Sequence, residues 1–144
     1  MEEVKLKEMA EKLIKQHKDS FKELDELDKE IHSSVETPAV DDILTWSRKA
    51  AGLGNLISKS AAKLNGVRKR EHSVKYMELK LKSEIDNIKF VATVGDKEAM
   101  NHVAQIRIAE KILDSYYESA KTIISICRMH LGVAESDKQI TATL

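Results

Sequence analysis

One cysteine, one proline and five glycines are all that 144 residues hold of the usual punctuation. A lone Cys127 cannot close an internal disulfide and suits a reducing cytosol. With so little Pro and Gly, and only six aromatic residues (Phe21, Trp46, Tyr76, Phe90, Tyr116 and Tyr117), the profile is that of long helices and coiled coils, rich in Ala, Glu, Lys, Leu and Ile. No apolar run approaches the roughly 18 residues of a membrane span. The acidic opening Met1-Glu2-Glu3 has neither the basic nor the apolar region of a secretion signal, so a cytoplasmic location is expected. The five histidines (17, 32, 72, 102 and 130) form no HExxH and no paired ligand spacing with Cys127, so no metal site is expected. Ser60-Ala61-Ala62-Lys63 matches SxxK without its SDN and KTG companions. Gly52-Leu53-Gly54 opens no phosphate loop. No catalytic constellation, and hence no enzyme and no cofactor, is read from the chain.

What is present is helical periodicity. Over residues 1–36, Leu6, Ala10, Leu13, His17, Ser20, Leu24, Leu27 and Ile31 recur at alternating steps of three and four, the seam of one long helical arm weakened at His17 and Ser20. Thr37-Pro38 reads as an N-cap and first helical position, with Asp41 and Asp42 in the first turn. The body, 37–132, is expected to be a helical hairpin. Its basic helix, about 39–94, carries Ile43, Trp46, Ala50, Leu53, Ile57, Ala61, Leu64, Val67, Val74, Leu81, Ile85, Ile88 and Ala92. A single bent helix through Asn65-Gly66 is favoured, with a break there as the alternative and a kink or a close helix contact at 52–54. Gly95 is read as a left-handed stop and Asp96 as the next cap. The C-terminal helix, about 96–131, carries Ala99, Val103, Ile106, Glu110, Leu113, Tyr117, Ala120, Ile124, Cys127 and Leu131. Glu110 alone violates that seam; pairing with a base on the facing helix, or setting oligomer register, would explain it. Gly132 is read as its end and 133–144 as a polar, flexible tail. Trp46, Val103, Ile106, Leu113, Tyr117, Ile124 and Leu131 are the expected packing or oligomer seam. Stripes this narrow predict a homo-oligomer.

Charge is the second signal. The chain is neutral overall, yet Arg48 to Lys82 holds ten basic residues against Glu71 and Glu78, a net +8. Such a block points to a polyanion-binding surface, the plain alternative being a solvated face or one that docks acidic helices. Lys59, Lys63, Arg68, Lys69, Arg70, Lys75, Lys80 and Lys82 are the expected phosphate contacts, and Tyr76 beside them a base-stacking ring.

Trp46 opening a basic helix, the run Arg68-Lys69-Arg70…Val74-Lys75-Tyr76-Met77-Glu78-Leu79-Lys80-Leu81-Lys82, the Gly95 turn and the closing Ile123-Ile124-Ser125-Ile126-Cys127-Arg128 together resemble the UvsY-like recombination mediators of T-even phages, over about residues 39–131. The acidic-Tyr-Tyr end of that family's motif has no counterpart here. The resemblance implies a phage-encoded protein of the host cytoplasm, an oligomeric ring of helical subunits that binds single-stranded DNA. It also implies help in loading a strand-exchange recombinase in place of a single-strand-binding protein. The expectation is an all-α, elongated helical hairpin or coiled coil with an N-terminal helical arm, self-associating and binding single-stranded nucleic acid. The alternative is a non-catalytic coiled-coil adaptor or assembly protein.

Overall fold

The computed structural model describes residues 1–34 and 36–143, with the side chains of Ala134 and 136–143 left aside. Among the described residues there are five helices and no strand: α1 (Glu3–Gln16), α2 (Lys18–Ser33), α3 (Val40–Ile85), α4 (Ala92–His102) and α5 (Ala104–Thr143). The all-α class read from composition is what the chain adopts.

Helix ends differ from those the spacing predicts, each for a local reason. The N-terminal stretch is two helices, not one. His17, with φ −95° and ψ 3°, interrupts it at the position where the apolar seam turns polar. Pro38 precedes the helix it was expected to open; α3 begins at Val40, with Ile43 N–H bonded to the Ala39 carbonyl at 3.1 Å. α3 runs unbroken through Gly52, Gly54 and Gly66 but ends at Ile85, short of position 94. The stop is Asn87, in the left-handed region at φ 52°. Asn87 N–H reaches the Glu84 carbonyl (3.2 Å) and Ile88 N–H that of Ser83 (2.9 Å), a Schellman ending. Asn fills that place because its short polar side chain tolerates positive φ.

Gly95 is therefore not the turn. It lies inside α4 with negative φ, and a Cβ there would sit 2.5 Å from Phe90 Cζ. The expected single helix 96–131 starts earlier, at Ala92, and is interrupted at Val103. Nor does Gly132 end it; α5 continues as helix to Thr143, and only Leu144 of the expected tail lies outside the described residues. A single interior Gly costs about 1 kcal/mol, too little to stop a helix otherwise favoured.

The chain divides into two compact units, each with its own core. The first comprises Met1–Gln16 and Lys59–Leu113. Its core is Leu6 and Ala10 of α1, Ala61, Leu64 and Val67 of α3, Ala99 of α4, Val103, and Ile106, Ala109 and Leu113 of α5. Here α3 and the α4–α5 segment run antiparallel, since His72 meets Asp96 and Arg68 meets Glu110. The second unit comprises His17–Ser58 and Asp114–Leu144. Phe21, Leu24, Leu27 and Ile31 of α2 pack there with Ile43, Trp46, Ala50 and Ile57 of α3 and Ala120, Ile123 and Cys127 of α5. Phe21 stacks on Tyr116 at 4.0 Å between centroids, and Tyr116 Oη donates to Asp25. Gly54 is the close contact expected at 52–54: a Cβ there would meet Ala120 Cβ at 3.1 Å. The grouping thus places α1 and α2 in different units rather than in one arm.

The seam residues take their places in these cores. Trp46, Val103, Ile106 and Leu113 are buried, whereas Tyr117, Ile124 and Leu131 are half-buried. At the last turns the buried position is Ile123, one residue before Ile124. The buried face of α5 is wider than a strict heptad stripe, so it takes 106, 109, 113, 120, 123 and 127.

Gly95→Val is expected to push Phe90 off the Tyr76 ring and to cost about 1–3 kcal/mol. Gly66→Ala, which meets nothing within 4 Å, should instead stabilise by about 1 kcal/mol through helix propensity alone. Thermal unfolding of the two variants, followed by circular dichroism, tests both signs.

Candidate nucleic-acid interface

All the expected contact residues lie on α3 between Lys59 and Lys82, within the first unit. Ala61, Leu64, Val67 and Glu71 mark the inward side of this stretch. At about 100° per residue, Lys59, Lys69 and Lys80 lie on the opposite side, with Arg70 and Lys63 along the border toward Val67. All five are exposed. Lys75 and Lys82, also expected as phosphate contacts, do not lie on this face; they project from the other half of the helix. Lys75 borders a cavity of about 520 Å³ beside Met1, Glu2, Glu3 and Glu78. Lys82 borders another, of about 370 Å³, beside the 86–91 turn.

The two acids within the basic block do not cancel the outer face. Glu71 is 5% exposed and turned inward, where it accepts from the Met1 amine at 2.9 Å. That hydrogen bond, against the opposing effect of burial and with help from the amine and Arg70 charges, holds its carboxyl below the usual Glu value. Glu78 is exposed but lines the Met1 cavity with Lys75. Among the described residues, Lys59, Lys63, Lys69, Lys75, Lys80 and Lys82 form no ion pair. Arg70 Nε lies 3.5 Å from Glu71 Oε1, yet its side chain remains 63% exposed.

Arg68 is the exception. Its Nε donates to Glu110 Oε2 at 2.6 Å and its Nη2 to Oε1 at 3.5 Å, while Asn65 Nδ2 donates to Oε1 at 2.6 Å. Burial would raise the Glu110 pKa, but hydrogen bonds from Arg68 and Asn65 and the charges of Arg68 and Lys69 bring it below the ordinary value. Arg68 is thus a structural cation, held by the seam violator, and is removed from the set of outward phosphate contacts.

Tyr76 is half-buried and meets Phe90 edge-on, with centroids 5.3 Å apart at 85°. It lines an open cavity of about 510 Å³ with His72, Ser73, Met77, Ala92, Thr93 and Asp96. His72 Nε2 lies 3.0 Å from Asp96 Oδ1 on that wall. One ring face can therefore meet a planar guest only from the cavity side. Arg107, absent from the sequence-based set, joins Arg68, Lys69, His72 and Ser73 around a cavity of about 460 Å³. It sits next to Ile106 on α5, and its place beside the seam was the available signal.

No group of His, Cys, Asp or Glu among the described residues could hold a metal ion, and no helix there is long and apolar enough to cross a membrane. Buried Cys127, its thiol pKa raised by burial, is a core residue. Comparison with protein-family models, with curated proteins and with solved structures finds no match to the chain.

Proposed function

We propose that the protein is a non-catalytic, self-associating helical binder of single-stranded nucleic acid in the cytoplasm. By the resemblance noted above, it would act as a recombination mediator that helps load a strand-exchange recombinase in place of a single-strand-binding protein. The observation that carries the reading is the outer face of α3: Lys59, Lys63, Lys69, Arg70 and Lys80 are exposed, while Glu71 and Glu78, the two acids within the basic block, lie on the Met1 side. A helix advances about 1.5 Å per residue, so this face follows a phosphate chain over roughly 30 Å. Contacts go to the backbone and carry little base preference. Tyr76, in its cavity, offers one stacking surface.

Titration of a labelled single-stranded oligonucleotide at about 50 and 200 mM salt tests this. Four or five phosphate contacts predict a log–log salt slope near −3, at about 0.7 per contact for single strands. Absent or salt-insensitive binding sinks the reading. A second reading, a coiled-coil adaptor acting through protein contacts, is favoured by one observation: Val74, Met77, Leu81 and Ile85 form an exposed apolar stripe on α3. It predicts partner capture that survives nuclease treatment.

A further inference from the structure

Val74, Leu81 and Ile85 belong to the apolar run read from the sequence, and together with Met77 they are exposed. Val74 is 43% exposed, Met77 50%, Leu81 52% and Ile85 82%. Their steps of three, four and four keep all four within about 80° of one another on a single helix face. That is an unusual concentration of apolar surface to leave facing water.

We propose that this stripe is the dimer seam of the protein, and that its occupant is the same stripe of a second copy, packed antiparallel about a two-fold axis near position 79. The inference deepens the self-association included in the reading above and rests on that part alone. Two features of the sequence on this face choose a second copy. First, the apolar order is almost the same read backwards. Under the two-fold, Val74 comes level with Ile85 of the other copy and Met77 with its Leu81, and each layer is repeated by symmetry. Second, the charges beside the stripe complement themselves. Glu78 and Lys82 stand on the same flank, both exposed. An antiparallel two-fold brings like flanks together, so Glu78 comes within about one residue rise of Lys82 from the other copy, and Lys82 of its Glu78. A parallel two-fold instead brings opposite flanks together, so it would not join Glu78 of one copy to Lys82 of the other. The interface is isologous, as closed dimers require.

The dimer has a consequence for the cationic face. Lys59–Arg70 is centred about 15 residues from the axis, so the two copies would present their cations about 40 Å apart. One strand spanning both gains avidity without any new contact.

Light scattering across a concentration series, with the full chain, is the test. The wild type is expected to be dimeric when concentrated and to dissociate on dilution. Leu81→Gln, on an exposed position, should retain its circular dichroism and raise the dissociation constant more than tenfold. Lys82→Glu, which sets Glu against Glu78, should weaken the dimer about tenfold, and Glu78→Lys likewise; Glu78→Lys with Lys82→Glu should restore it. Mixing Met77→Cys chains with Leu81→Cys chains should give a disulfide-linked heterodimer in preference to either homodimer. A wild type monomeric at every concentration overturns both the seam and the self-association, leaving nucleic-acid binding to the titration above. An oligomer indifferent to Leu81→Gln and to the charge swaps overturns the seam while self-association stands. Preferential Met77→Cys homodimers overturn the antiparallel order.

Discussion

Reversing four charges, Lys59→Glu, Lys63→Glu, Lys69→Glu and Arg70→Glu, is expected to weaken single-strand binding about a thousandfold at low salt. Four phosphate contacts are lost, and four repulsions stand in their place. The salt slope should fall toward zero or change sign. The fold should survive with a modest loss: the four side chains are exposed and none anchors a core, so each change costs within about 0.5 kcal/mol, with a further cost from losing the Arg70 and Lys69 charges that favour ionised Glu71 and Glu110. The informative control is Lys75→Ala. Lys75 belongs to the same basic block, yet it leans toward Met1, Glu2 and Glu3, so affinity should change less than about twofold. A proximity-blind charge effect would give the two kinds of variant losses in proportion to charge removed. Fluorescence anisotropy of a labelled oligonucleotide separates these outcomes. Unchanged binding in the folded quadruple variant would remove the outer face of α3 as the site.

Periodicity made much of the interior legible. Ile43, Trp46, Ala50, Ile57, Leu64, Val103, Ile106 and Leu113 recur at helical spacing and are buried. Spacing states which residues share a face, but it does not state whether that face finds a partner within the chain. Val74, Leu81 and Ile85 belong to the same run as Leu64 and Val67. They are exposed because the contacts that bury α3 further back do not reach their face. Helix ends were legible only where one residue type dominates. Gly95 looked like the stop, whereas Asn87 adopts the left-handed conformation and Gly95 serves to admit the Phe90 ring. His17 was readable as a weakness in the seam, and the interruption falls there.

The site was legible in its charge and not in its partition. The concentration of cations between 48 and 82 is a property of the sequence. Which of them remain outward depends on residues far along the chain. Arg68 and Lys69 are neighbours of one chemistry, but the carboxylate that claims Arg68 lies 42 positions later. Only the relative rotation of α3 and α5 decides that Arg68 meets it. Lys69, one step of about 100° onward, faces outward.

That partition predicts the largest effect on stability. Glu110→Ala should destabilise the fold by about 2–3 kcal/mol, below the full cost of breaking a wholly buried pair because Arg68 keeps partial access to water. Asn65 loses its acceptor as well. The thermal midpoint should fall by about 10 °C. Replacing both partners, Glu110→Leu with Arg68→Met, should recover most of the loss, since the carboxylate occupies an otherwise apolar seam and no buried charge is left behind. The pH dependence has a definite sign. Folding lowers the Glu110 pKa from its ordinary value of 4.5, so the unfolded chain binds the proton more readily. The stabilisation is fully present above that value and is lost as pH falls through the folded pKa. Glu71, lowered by its bond to the Met1 amine, loses its contribution in the same direction. Denaturant unfolding should therefore show wild-type stability dropping more steeply below about pH 4.5, with a shallower drop in Glu110→Ala, which retains the Glu71 contribution and that of His17, whose pKa burial lowers. Parallel pH profiles for the two proteins would mean that the Arg68–Glu110 contact, close as it is, adds no net stability to the ionised carboxylate.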